Sequence, residues 1–188
     1  NTLEMIKDMI VQDGKTARII LEKFTKILRY SISSTEREIS LEEDLHYIKD
    51  YIAIQEERFK DRFKCNFKIS DEAKELKVMK LALQPIIENS IKYGFKKSMY
   101  LDVEVVGEKK ENYLVLTVTD DGGGMEEEAL EKLREEIKES EVKGTHNGIH
   151  NIARRLELKY KGKSGLSIEN TEKGFKVTLY IKQEEENV

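Results

Sequence analysis

The sequence predicts an α+β fold: a two-layer α/β sandwich with a mixed sheet of about five strands against three helices, preceded by a two-helix hairpin. Three observations carry this. From Thr2 to about Ser33, and again from Leu41 to Phe59, apolar residues recur at helical spacing. Beyond Arg62 the pattern changes to short alternating runs separated by helical ones. Each alternating run has a single apolar face, so the sheet needs one covering layer of helices.

Taken in order, the first helix carries Leu3, Ile6, Met9, Ile10, Ile20, Leu21, Phe24, Ile27 and Leu28, and Gly14 weakens its middle without breaking the pattern. After a polar turn, Ser40 and Glu43 form a capping box that starts a second helix bearing Leu41, Leu45, Ile48, Ile52 and Phe59. Such a hairpin cannot cover both of its stripes alone, so burial against a second copy or the following domain is expected. Strands are expected at 64–70, 99–107, 112–120, 165–171 and 174–182, and helices at about 80–95, 126–138 and 149–161. The chain therefore divides into a hairpin, 1–62, and an α/β domain, 63–188, whose last six residues read as a frayed tail.

Charged residues make up 37% and hydrophobic ones 38%, so much of the chain is solvated helix surface. The net charge of −4, with 33 basic and 37 acidic residues interspersed, argues against a nucleic-acid groove. With no apolar run approaching ~18 residues and no signal-peptide pattern, a soluble cytoplasmic fragment without direct membrane contact is expected, its parent being anchored in the cell membrane. Cys65, the only cysteine, excludes an internal disulfide and reads as a buried strand residue. His46 reads as a surface histidine.

Chemistry concentrates in three segments. In Leu83-Gln84-Pro85-Ile86-Ile87-Glu88-Asn89-Ser90-Ile91-Lys92 a helical wheel puts Leu83, Ile86, Ile87, Ser90, Ile91 and Gly94 on one side and Glu88, Asn89, Lys92 and Lys96 on the other. Pro85 suits the first turn. A Glu88–Lys92 surface pair is the plain reading of that polar face. In the second segment, Asp120-Asp121-Gly122-Gly123-Gly124-Met125, the first aspartate shares the parity of Leu114, Leu116 and Val118 and so points at the core. A hairpin turn would be the alternative, but a helix with Leu130, Leu133 and Ile137 follows. In the third, Asn147-Gly148-Ile149-His150-Asn151, Gly148 opens a helix whose free N–H groups could receive phosphates. His146 and His150 read as phosphate-proximal or exposed rather than as metal ligands.

In order and spacing these segments resemble the N, G1 and G2 boxes of the ATP-binding domain shared by sensor histidine kinases, gyrase and Hsp90. Asn1-Thr2-Leu3 resembles the end of the His-Phe-Leu-Tyr-Asn-Thr-Leu phosphoacceptor motif of LytS/YesM-like kinases, which would place the acceptor histidine upstream of this chain. The resemblance implies ATP with Mg²⁺ as cofactors, and transfer of the γ-phosphoryl group to that histidine and then to a response-regulator aspartate. It assigns Mg²⁺ to Asn89, phosphate contact to Lys92, and the partner of the acceptor histidine or of an attacking water to Glu88. Asp120 would accept from the adenine N6 amine, Gly122 and Gly124 would allow close backbone approach, and Gly148 and Ile149 would mark the phosphate end. A homodimer through the N-terminal helices is implied, and residues 139–145 read as a lid. Two departures stand out: His146 occupies the first glycine position of the G2 box, and Phe175 stands where relatives often place a threonine supporting the adenine-binding aspartate. A nucleotide-gated ATPase of the gyrase/Hsp90 type and a non-catalytic interaction module are the alternatives.

Overall fold

The computed structural model describes residues 2–32, 38–138 and 148–184. Its first helical stretch is two helices rather than the single one expected: α1 (Thr2–Gln12) and α2 (Gly14–Ile32). The reason is Asp13, whose carboxylate accepts from the Thr16 N–H at 3.1 Å and its hydroxyl at 2.6 Å, so it caps α2. Gly14 falls in the first turn of α2, not mid-helix.

Then come β1 (Glu38–Ser40), α3 (Leu41–Phe59), β2 (Phe63–Ile69), α4 (Asp71–Glu75), β3 (Lys77–Met79) and α5 (Gln84–Gly94). They are followed by β4 (Leu101–Lys110), β5 (Tyr113–Asp120), α6 (Glu127–Lys138), α7 (Gly148–Tyr160), β6 (Gly165–Asn170) and β7 (Phe175–Lys182). Ser40 caps α3 as its spacing predicted, its hydroxyl accepting from the Glu43 N–H at 3.2 Å. The main sheet has strand order β2-β4-β5-β7-β6, with β2 parallel to β4 and the other pairs antiparallel. A small antiparallel pair, β1 with β3, was not expected, because three residues are too few to show alternation.

The helices α5, α6 and α7 pack on one face of the main sheet. Val103, Val105, Leu114, Leu116, Val118, Val177 and Leu179 meet Ile86, Ile87, Leu130, Ile149, Ile152 and Leu156 in the core between the layers. Cys65, on the outer strand β2, is half-buried rather than fully buried, and burial with Glu56 nearby pushes its thiol up to about 12.

The hairpin is tied to this core. Leu41, Leu45, Ile48 and Ile52 of α3 belong to the same buried cluster as the sheet, whereas Ile54 packs with Ile6, Ile20 and Ile27. So the following domain takes one stripe of α3, and α1 with α2 takes the other. Leu3, Ile10, Leu21, Leu28 and Ile32 remain exposed. A buried polar junction joins the parts: Asp44 of α3, 0% exposed, accepts from the Tyr30 hydroxyl at 2.6 Å and from the Leu81 N–H at 2.9 Å. Arg155 of α7 donates to the carbonyls of Lys80 and Leu81, and Lys80 donates to the Tyr30 carbonyl. Burial holds the Asp44 carboxyl above its usual range. Phe59, Phe63 and Phe95 close the other end, with Phe59 stacked on Phe95 at 4.4 Å.

Candidate functional site

The site forms where the N-terminal turns of α5 and α7 meet the ends of β5 and β7. Pro85 enters α5 in its first turn, and the Ile86 and Ile87 N–H groups both reach the Leu83 carbonyl at 3.1 Å. The inner face of α5 is Ile86, Ile87, Ser90, Ile91 and Gly94, as the helical wheel predicted. A Cβ on Gly94 would lie 2.4 Å from a Leu101 methyl, and one on Gly122 would lie 2.4 Å from the Gly94 Cα. Backbone therefore meets backbone where the helix ends.

Between these elements is a cavity of about 180 Å³. Asn89, Ser90, Tyr93 and Gly94 line it from α5; Asp120, Gly122, Gly124 and Met125 from β5 and the loop after it; Ile149 from α7; and Phe175 with Val177 from β7. Asp120 is buried on the core side of β5, where its parity placed it, and is 7% exposed. Its Oδ1 accepts from the Gly122 N–H at 3.0 Å and the Phe175 N–H at 3.4 Å, and the Ser90 hydroxyl also bonds to the carboxylate. Burial nevertheless holds this carboxyl above the ordinary aspartate range.

The glycine loop is held from outside. Gly123 and Gly124 have φ of 81° and 62°, which glycine adopts without strain. The Gly123 N–H donates to the Lys173 carbonyl at 2.9 Å, and Lys97 Nζ donates to the Gly124 carbonyl at 2.9 Å. Asn170 clamps Met125 at both ends of its peptide groups, accepting from its N–H at 2.9 Å and donating to its carbonyl at 2.8 Å. A Cβ on Gly174 would sit 1.9 Å from the Asp120 carbonyl oxygen.

At the other end of the cavity, a Cβ on Gly148 would lie 2.9 Å from the Pro85 carbonyl oxygen and 3.0 Å from Asn89 Nδ2. The first residue of α7 thus abuts the Asn89 amide. Glu88 and Lys92 are exposed on α5 and are not among the residues lining the cavity. Glu88 accepts from Gln84 Nε2 at 2.8 Å, while Lys92 and Lys96 each place Nζ 5.0 Å from the Tyr93 ring centroid.

His150 differs from expectation. It is 3% exposed, with Nε2 2.9 Å from Glu136 Oε2, because its place on α7 faces α6 rather than solvent. His46 is exposed, edge-on to Tyr47, as expected. His146, Asn147, Asn1 and the 139–145 segment lie outside the described residues. Sequence reasoning missed Tyr93, Met125, Lys97 and Asn170 as parts of the site. Tyr93 was within reach, one residue past Lys92 on the same helix, but Asn170 is brought to Met125 only by the fold across 45 residues.

A family model described as histidine kinase-, DNA gyrase B-, and HSP90-like ATPase matches residues 74–185, and one described as histidine kinase matches residues 1–63. The sensor protein kinase HptS of Staphylococcus aureus (strain USA300) is 30% identical over 168 residues, covering 89% of this chain and 32% of that protein. The chain thus spans about a third of the length of the curated relatives it matches. Among solved structures, a catalytic domain of histidine kinase ThkA aligns with a TM-score of 0.59 at 19% identity, over 78% of this chain and 96% of that one. ThkA in complex with response regulator protein TrrA aligns at 0.59 and 15% identity, over 100% and 59% respectively. The histidine kinase domain of a blue-light activated histidine kinase from Erythrobacter litoralis EL346 aligns at 0.56 and 16%, over 95% and 84%. At these identities the structures speak to fold.

Proposed function

Because the chain belongs to the histidine kinase-, DNA gyrase B-, and HSP90-like ATPase family, we propose that it is the ATP-binding catalytic region of a two-component sensor histidine kinase. The observation that carries this is a cavity with a buried carboxylate, Asp120, at one end and an amide, Asn89, against the start of a helix at the other. That pair suits a ligand with a hydrogen-bond donor on its base and an anionic tail. The match of a histidine kinase model to residues 1–63, together with the likeness to HptS over 89% of the chain, favours the kinase over a gyrase-type ATPase.

In this reading Asp120 accepts from the adenine N6 amine and rejects guanine, whose oxygen there would leave a buried acceptor facing an acceptor. Gly122 and Gly124 let backbone approach the nucleotide closely. The N–H groups at the start of α7, from Gly148 and Ile149, receive phosphate oxygens with the help of the helix dipole. Lys92 supplies an exposed cation at the mouth. Asn89 fits a Mg²⁺ ion, since a hard cation that keeps several waters needs few protein oxygens and the amide already faces the phosphate end. When bound, Mg²⁺ would neutralise charge on the phosphoryl oxygens. Glu88 holds the acceptor imidazole in its nucleophilic state. Catalysis then consists mainly of positioning.

The γ-phosphoryl group would pass to the histidine that precedes Asn-Thr-Leu in the resembling motif, and from there to a response-regulator aspartate. A parent anchored in the membrane fits a sensor role; among the described residues no helix is long and apolar enough to cross a membrane. Leu3, Ile10, Leu21 and Leu28, exposed on α1 and α2, would pair with a second copy. Calorimetric titration tests the nucleotide reading: Mg-ATP should bind tighter than Mg-GTP, and Asp120→Asn should abolish the preference. Equal affinities in the parent chain would overturn it. Asn89→Ala should instead alter the Mg²⁺ dependence.

A further inference from the structure

Ser90 occupies a position on α5 that packing alone does not explain. It is 8% exposed on the face turned to the sheet, where alanine would be as small and a better helix former. Its hydroxyl bonds to Asp120. The other donors to that carboxylate are backbone N–H groups from two different loops, Gly122 at 3.0 Å and Phe175 at 3.4 Å, the second at the long end of hydrogen-bond range. Phe175 lines the same cavity with a ring and brings no hydroxyl of its own.

We infer that Ser90 determines nucleotide specificity: its hydroxyl anchors the Asp120 carboxylate so that the carboxylate faces the 6-amino group of an adenine nucleotide as an acceptor. This rests on the reading of the cavity as a nucleotide site. An ionised carboxylate is acceptor-only, and it stays so in a buried place when donors satisfy it. A donor mounted on a helix is also better fixed than one on a loop. Ser90 thus takes up the support that a threonine at position 175 would provide.

The competing explanation is that position 90 needs only a small residue to let α5 approach the sheet. Ser90→Ala separates the two, since it keeps the size and removes the hydroxyl. Phe175→Thr in that background restores a hydroxyl at a residue whose N–H already reaches Asp120. Mg-ATP and Mg-GTP would be titrated calorimetrically into the parent chain, Ser90→Ala and Ser90→Ala/Phe175→Thr, with thermal melts as a fold control. The expected result is a folded Ser90→Ala that binds ATP about tenfold more weakly, the loss of one hydrogen bond to a charged group. Its ATP-over-GTP ratio should fall by a similar factor, and the double variant should recover most of it. Unchanged ATP affinity and ratio in Ser90→Ala would overturn the inference. So would equal losses for both nucleotides with no recovery in the double variant. A parent chain that does not discriminate at all would sink the adenine reading itself, a distinguishable outcome.

Discussion

Replacing Asn170 with alanine should weaken ATP binding by roughly tenfold while leaving the fold intact. Two hydrogen bonds, at 2.9 and 2.8 Å, tie its side-chain amide to the N–H and carbonyl of Met125, which lines the cavity. Each is worth about 1 kcal/mol net, and an orphaned partner costs more where water cannot reach it. Met125 is half-buried, so the total is roughly 1–2 kcal/mol, a factor of about 5 to 30 if the loop must be ordered to bind. Asn170→Asp keeps the acceptor but sets a second oxygen against the Met125 carbonyl, so it should lose at least as much. Calorimetry for Mg-ATP, paired with urea unfolding, separates binding from stability. A stability loss of this size with unchanged ATP affinity would show that Asn170 serves the fold alone, and the positioning argument would fail.

Asp120 gives a pH-dependent outcome. Its carboxyl is held above the unfolded value by burial, so its contribution to stability is fully present below about 3.9 and is lost as pH rises through the folded value. Asp120→Asn should therefore make the unliganded protein more stable at pH 7, with the gain shrinking as pH falls toward the ordinary aspartate range; melts across pH that show a constant or reversed difference would contradict this. Gly174→Ala should destabilise by about 1–3 kcal/mol or prevent folding, because its Cβ would meet backbone at 1.9, 2.6 and 2.8 Å that no rotamer change can relieve. Denaturant titration reads it. Leu28, 44% exposed, is a clean probe of self-association, whereas Leu45 is in the core. Leu28→Asp should weaken a dimer in sedimentation without changing the melting temperature, and Leu45→Asp should unfold the chain.

The five main strands were legible because each alternates over six or more residues, and their parity placed Asp120 correctly on the core side. The break at Asp13 was legible too, since an aspartate three residues before a threonine is a capping signal, but the apolar spacing on both sides hid it. What could not be read was tertiary. Nothing local says that Leu41, Leu45, Ile48 and Ile52 belong to the sheet's core rather than to a partner helix, or that Asn170 reaches Met125. His150 looked polar and free because the acidic residue that receives it, Glu136, is on another helix. Helical periodicity reports that a face is buried and is silent about what buries it.

The buried junction at Asp44 makes α3 a lever rather than a tether. Its carboxylate holds the Leu81 N–H, three residues ahead of the first turn of α5, while Arg155 grips the Lys80 and Leu81 carbonyls from α7. Those two helices are opposite walls of the cavity. A push on the hairpin therefore has two outlets: it strips a fully buried carboxylate of its donors, at a cost of several kcal/mol, or it carries the 80–82 segment along and shifts the spacing of the walls. The second is the softer route, so strain applied at the N-terminal helices is delivered to the mouth of the pocket.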